Sequence, residues 1–142
     1  MKPILQIENL QTHFFTKSGV VKAVDGVSFD INAGEVVGLV GESGSGKSIT
    51  GFSVMGLVDA PGKIVGGRIM FQGEDIAAMS PQQLQSLRGN RISMIFQDPM
   101  MTLNPVLRVE TQMVEAIKAH DSMISKSEAR ARARDALGLV GI

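Results

Sequence analysis

The chain has 142 residues, 44% of them hydrophobic, which is enough for a domain with a real core and too apolar for a disordered segment. Lys plus Arg equals Asp plus Glu at 14 each, so the basic excess that grips nucleic acid is missing and no nucleic-acid partner is expected. Cysteine is absent, which excludes disulfides, thiolate metal sites and cysteine nucleophiles.

The opening Met-Lys-Pro and the alternating residues after it lack the apolar core of a signal peptide. No run approaches the roughly 18 consecutive apolar residues of a membrane span, so any membrane role is expected to come through a partner. Alternation over residues 4–10 predicts a first strand, and residues 20–24 and 27–31 predict two more. The turn Asn32-Ala33-Gly34-Glu35 then leads into Val36-Val37-Gly38-Leu39-Val40. That run is apolar on both faces, the pattern of a buried central strand in a parallel sheet. A helix is predicted from Ser48 to about Val58, with Gly51 and Gly56 each lowering its intrinsic stability by roughly 1 kcal/mol.

Residues 67–71 predict another strand. Ser80-Pro81-Gln82-Gln83 is a helix start with an N-cap serine, a proline at the first helical position and a capping box closed by Gln83. Residues 91–96 predict a further strand, followed by an irregular stretch over 97–105. A helix whose apolar face is Val109, Met113, Ala116 and Ile117 comes next, and Ser125-Lys126-Ser127-Glu128 opens the last helix, ending near Gly138. Glu128 four residues before Arg132 makes that helix, with Arg130 and Arg134, an ion-paired solvated face. His13 and His120 are lone imidazoles without metal-ligand spacing. Met100 and Met101 are read either as loop filling or as a contact with a partner.

Between the predicted central strand and the helix lies Gly41-Glu42-Ser43-Gly44-Ser45-Gly46-Lys47-Ser48, which fits G-x-x-x-x-G-K-[ST] at every position. Its glycines accept backbone angles closed to other residues and let main-chain N–H groups crowd around phosphate oxygens. Lys47 is expected on the β- and γ-phosphates and the Ser48 hydroxyl on a bridging Mg²⁺. The helix that follows, beginning at Ser48, points its N-terminal dipole at the anion. The dinucleotide pattern G-x-G-x-x-G fails, because Gly44 and Gly46 are followed by Ile49 where a third glycine would stand. The base-reading N-K-x-D of GTPases is also missing.

The chain resembles the ATP-binding subunit of an ABC transporter, most closely the dipeptide/oligopeptide importer type. The resemblance rests on Asn9-Leu10-Gln11-Thr12-His13-Phe14, Ala23-Val24-Asp25-Gly26-Val27-Ser28-Phe29, the glycine-rich loop, and Ile95-Phe96-Gln97-Asp98-Pro99-Met100-Met101-Thr102-Leu103-Asn104-Pro105. It implies an α/β fold with a P-loop NTPase core of the ABC type, an N-terminal antiparallel β part and the start of a helical subdomain, truncated. Residues 1–97 would be the first part of the core, and residues 98–142 the Q-loop and a partial helical subdomain. The ligands implied are ATP and Mg²⁺. Phe14, with Phe15 as the alternative, would stack on adenine. Gly41, Glu42, Ser43, Gly44, Ser45, Gly46, Lys47, Ser48 and Ile49 would hold the phosphates, and Ser48 and Gln97 the metal. Gln97 would also position the attacking water, its neutral amide accepting from water and ligating a hard cation without fixing a charge.

The partners implied are transmembrane permease subunits, a second ATP-binding subunit in a homo- or heterodimer, and indirectly a solute-binding protein. The place implied is peripheral, on the cytoplasmic face of the cell membrane. The family's L-S-G-G-Q signature, its acidic pair after an apolar run, its D-loop and its switch histidine do not occur in these residues, so an N-terminal fragment is expected that binds ATP and does not hydrolyse it alone. The alternatives are an ABC ATPase of DNA repair or translation, which lacks the Asp98–Pro105 stretch, and a small-molecule P-loop kinase, which lacks the Phe14 and Gln97 context.

Overall fold

The structure, a computed structural model, describes residues 3–98 and 103–142. Pro99, Met100, Met101 and Thr102, and with them the reading of the two methionines, lie outside the described residues. The chain divides into two compact units, one ending at Ile92 and the other beginning at Ser93.

The first unit is built on a four-stranded sheet in the order β2-β1-β3-β4, with strands Leu5–Thr16, Gly19–Ile31, Gly62–Phe71 and Glu74–Asp75 numbered β1 to β4 along the chain. Every pairing in it is antiparallel. The strands predicted at 20–24 and 27–31 are one strand, β2, because Gly26 at φ +85° absorbs a bulge opposite Leu10 and Gln11. The same row continues through Asn9, which takes φ +47°, and Gly67 at φ +86°. A Cβ on Gly67 would stand 2.4 Å from the Asn9 carbonyl oxygen, so only glycine lets β3 follow this bend. This break in the period-two pattern hides how far β1 and β3 run: β1 continues to Thr16, and β3 starts at Gly62.

The inner face of the sheet carries Ile7, Leu10, Val24, Ile69 and Phe71, joined by Ile76 and Leu87 from the segment after β4. Against this core pack α1 (Lys47–Val54) and α2 (Pro81–Leu87). The capping box of α2 is present: the Ser80 hydroxyl accepts from the Gln83 amide, and the Gln83 side chain accepts from the Ser80 amide. At the turn before residue 36, the Glu35 carboxylate accepts from the Asn32 backbone and side-chain N–H groups, and these bonds hold its pKa below the ordinary glutamate value.

Two predicted strands are not formed. Residues 36–40 pair with no strand among the described residues, and Val36 and Val40 are 97% and 92% exposed. Residues 93–96 are likewise outside any strand, and before them Ile92 makes an isolated parallel bridge with Arg88. A strand apolar on both faces is stable only with a ladder partner at each edge and cover on each side. Its own composition supplies neither.

The second unit holds α3 (Val109–His120) and α4 (Lys126–Leu139), which pack through Val114, Ile124 and Ala129 with Ile117 beside them. The apolar stripe of α3 is therefore rotated from the one predicted: Val114 is buried, whereas Val109 and Ala116 are exposed. Ser125 caps α4, accepting from the Glu128 amide. Two arginines of α4 pair with residues outside their own helix: Arg130 meets Glu110 of α3 at 2.5 Å, and Arg132 meets Asp121 at 3.6 Å. Arg132 thus pairs with the residue that follows α3 and not with Glu128 as expected from spacing, although exposed pairs of this kind stabilise by about 0–1 kcal/mol only.

Candidate functional site

Residues 41–48 lead directly into α1. The N-cap of that helix is Gly46, in the left-handed region at φ +91°, and no side chain bonds to the first-turn amides. By contrast α2 and α4 both have serine hydroxyls on theirs. A helix start without a side-chain cap leaves main-chain N–H groups directed outward with a positive partial charge, which is the chemistry of an anion site. Gly46 also packs closely: a Cβ there would stand 2.2 Å from the carbonyl oxygen of Ala23 in β2. At Gly41 a Cβ would stand 2.5 Å from the Ser45 Oγ. Gly44, at φ +80°, faces open space at the tip of the loop.

Lys47 turns back across the loop. Its Nζ donates to the carbonyls of Gly41 at 2.8 Å and Glu42 at 2.6 Å, with the Ser45 Oγ at 3.3 Å. An ammonium has three donors and no acceptor, so here they are spread over the loop's own oxygens. A phosphate oxygen would compete well for them, because a fully charged acceptor makes a stronger bond than a carbonyl. Glu42, Ser43 and Ser48 are exposed, and Ser48 stands at the second position of α1. Ile49 packs its side chain on the core of the first unit, so any contact it makes with an anion is through its backbone amide.

Phe14 lies on β1 opposite Val21 of β2 and Gly62 of β3. Its half-buried ring rests on Gly62, where a Cβ would come within 2.7 Å of the Cε1. Thr12 pairs with Val24, and Gly46 touches Ala23 and Val24, so Phe14 sits two residues, about 7 Å along the strand, from where the loop meets the sheet. Phe15 is exposed.

Gln97 belongs to the second unit and is exposed. Beyond it, Asn104 is held by Gln112 of α3: the Asn104 amide donates to the Gln112 Oε1 at 2.8 Å, and the Gln112 Nε2 donates to the Asn104 and Leu107 carbonyls, each at 3.0 Å. Sequence reasoning missed Gln112, since a single amide on a helix carries no motif. It also missed Arg88, whose guanidinium donates to the carbonyls of Met55 and Gly56 at the end of α1. Neither histidine belongs to the loop, and His120 is the last residue of α3 in the second unit. His13 lies on β1 with its Nε2 buried, lacking a hydrogen bond and 3.8 Å from the Asp25 carboxylate.

Among the described residues no group of three or more His, Asp or Glu side chains is placed to hold a metal ion. In the second unit a cavity of about 280 Å³ is lined by α3 and α4 residues such as Glu110 and Lys118; in the first unit one of about 630 Å³ is lined by residues such as Gln6 and Met70 and by none of residues 41–48. No helix among the described residues is long and apolar enough to cross a membrane.

A family described as "ABC transporter" matches residues 24–142. The chain is 49% identical over 142 residues to the oligopeptide transport ATP-binding protein AppD of Bacillus subtilis, covering 99% of this chain and 43% of that one. It is 45% identical over 139 residues to the dipeptide transport ATP-binding protein DppD of Escherichia coli, covering 98% of this chain and 42% of that one. Thus it spans less than half the length of these curated relatives. Among solved structures, the ATP-binding cassette MJ0796 bound to ADP and Pi superposes with a TM-score of 0.76 at 24% identity, covering 95% of this chain and 56% of that one. That likeness bears out the α/β cassette fold with its antiparallel β part.

Proposed function

The chain belongs to the ABC transporter family, and from that premise we propose that it is the nucleotide-holding part of an ATP-binding subunit that drives import of peptides or similar small solutes. The observation that carries the proposal is the loop 41–48, which opens α1 without a side-chain cap and holds the Lys47 ammonium on the Gly41 and Glu42 carbonyls. The amides of residues 44–49 would hold the triphosphate of ATP. Lys47 exchanges its bonds to the Gly41 and Glu42 carbonyls for phosphate oxygens. Phe14 offers an apolar ring to adenine within reach of the same loop.

Ser48 and Gln97 are neutral oxygen donors of the kind that would suit Mg²⁺, and they are the residues that would hold it. When bound, the ion neutralises charge between the phosphates. Residues 1–97 serve as the front of the ATPase core, and residues 98–142 carry the Q-loop and the first helices of the subdomain. The partners are transmembrane permease subunits, a second ATP-binding subunit and, through the permease, a solute-binding protein. The place of action is the cytoplasmic face of the membrane. Peptide import is supported by the relatives' descriptions as oligopeptide and dipeptide transport ATP-binding proteins.

The test is calorimetric titration of the chain with ATP and Mg²⁺, beside its Lys47→Ala variant. The wild-type chain binds, the variant does not, and neither releases phosphate above background. Equal affinity in the two proteins would defeat the assignment of the loop.

A further inference from the structure

The helix that follows the loop is short. Eight residues at 1.5 Å each make α1 about 12 Å long, so its direction, and with it the aim of its N-terminal amides, depends on how its far end is held. Both ends are tied to named groups. At the near end Gly46 sits on the Ala23 carbonyl, and in the last turn, one residue before Val54, the Ser53 hydroxyl meets the Thr12 hydroxyl of β1 in a buried bond of 2.8 Å. At the far end Gly56, at φ +62°, closes the helix: its amide donates to the Ser53 carbonyl and the Leu57 amide to the Phe52 carbonyl. The carbonyls of Met55 and Gly56 then take the two arms of the half-buried Arg88 guanidinium, Nε at 2.7 Å on Met55 and Nη2 on Gly56. Arg88 in turn ends α2, its amide donating to the Leu84 carbonyl.

We propose that Arg88 is a positioning residue for the phosphate loop: its planar fork bolts the C-terminal end of α1 to α2 and so fixes where the N-terminal amides point. The inference rests on the reading of residues 41–48 as the nucleotide site. Its chemistry is specific to a guanidinium. Two carbonyls diverging from a helix end match a rigid pair of N–H donors, and a cation there also complements the negative end of the helix dipole. A lysine reaches one carbonyl and keeps the charge. An alanine does neither, and leaves α1 free to pivot about the Thr12–Ser53 bond.

The experiment compares the wild-type chain with Arg88→Lys, Arg88→Ala and Lys47→Ala by ATP titration in the presence of Mg²⁺ and by hydrogen exchange of the amides of residues 43–49. Arg88→Ala is expected to bind ATP about tenfold more weakly and to exchange these amides several-fold faster, with exchange in α3 and α4 unchanged. Arg88→Lys should fall between the two. Millimolar ethylguanidinium should restore Arg88→Ala toward wild type and leave Lys47→Ala without effect. A folded Arg88→Ala with wild-type affinity and exchange overturns the proposal, as does an Arg88→Lys equal to Arg88→Ala in both. Should Arg88→Ala not fold, Arg88→Lys alone decides: wild-type values in both measurements overturn the role of the fork. If the wild-type chain is folded and binds no ATP, the nucleotide reading fails, whereas the exchange of residues 43–49 still reports whether Arg88 holds α1.

Discussion

Gly44 and Gly46 both take positive φ, at +80° and +91°, yet their surroundings separate them. A Cβ on Gly44 meets open space, while one on Gly46 would press to 2.2 Å on the Ala23 carbonyl oxygen. The backbone strain of a non-glycine residue in this region is about 1–3 kcal/mol and is shared by both sites. The clash is not shared, and no rotamer relieves it, because both atoms are fixed to main chain. Gly46→Ala is therefore expected to lose more stability in urea unfolding than Gly44→Ala, and to lose nucleotide binding as well, since relief of the clash lifts the loop from β2. Equal unfolding midpoints for the two variants would show that the loop does not rest on Ala23. A motif pattern reveals that both positions require glycine, but it does not reveal that one needs it for torsion alone and the other for space.

At the scale of the element, α1 departs from its sequence expectation in length and in what it buries. Apolar residues predict a helix to about residue 58, yet it ends at Val54, because Gly56 adopts the left-handed conformation that closes a helix. The glycine read as a weak point in the helix is its terminator. The residues of α1 that are buried are Thr50 and Ser53, while Ile49 and Val54 are partly buried against the core. Thr12 and Ser53 lie fully buried facing one another, a polar contact between helix and sheet that hydrophobic periodicity cannot reveal. Thr12→Val keeps the shape and removes the hydroxyl, and Ser53 still donates to the Ile49 carbonyl at 2.7 Å. The expected cost is about 1 kcal/mol, near the net value of one hydrogen bond. Ser53→Ala should cost a similar amount, and the double variant about as much as either alone; urea unfolding of all three measures the coupling. Full additivity would mean that the two hydroxyls do not interact.

For the whole molecule, the exposed apolar residues decide behaviour in solution. Val36, Val40 and Ile95 are almost entirely accessible, at 97%, 92% and 98%. Unpaired chain with this composition is a template for pairing with another copy. The chain is expected to self-associate at micromolar concentration, with Val36→Lys and Val40→Lys together shifting it toward monomer in sedimentation velocity. An unchanged distribution of species would place the association elsewhere. The glycine-rich loop, the serine caps of α2 and α4 and the glycine-led turn at Asn32–Glu35 are legible in the amino-acid sequence because each is a contract between neighbours within a few residues. Burial of residues 36–40, the rotation of the α3 stripe, the joining of β2 across Gly26 and the grip of Arg88 on α1 depend on groups distant in the chain. Apolar composition states that a segment can be buried; only the tertiary structure decides whether anything lies against it, since pairing and cover come from partners that a local pattern does not contain.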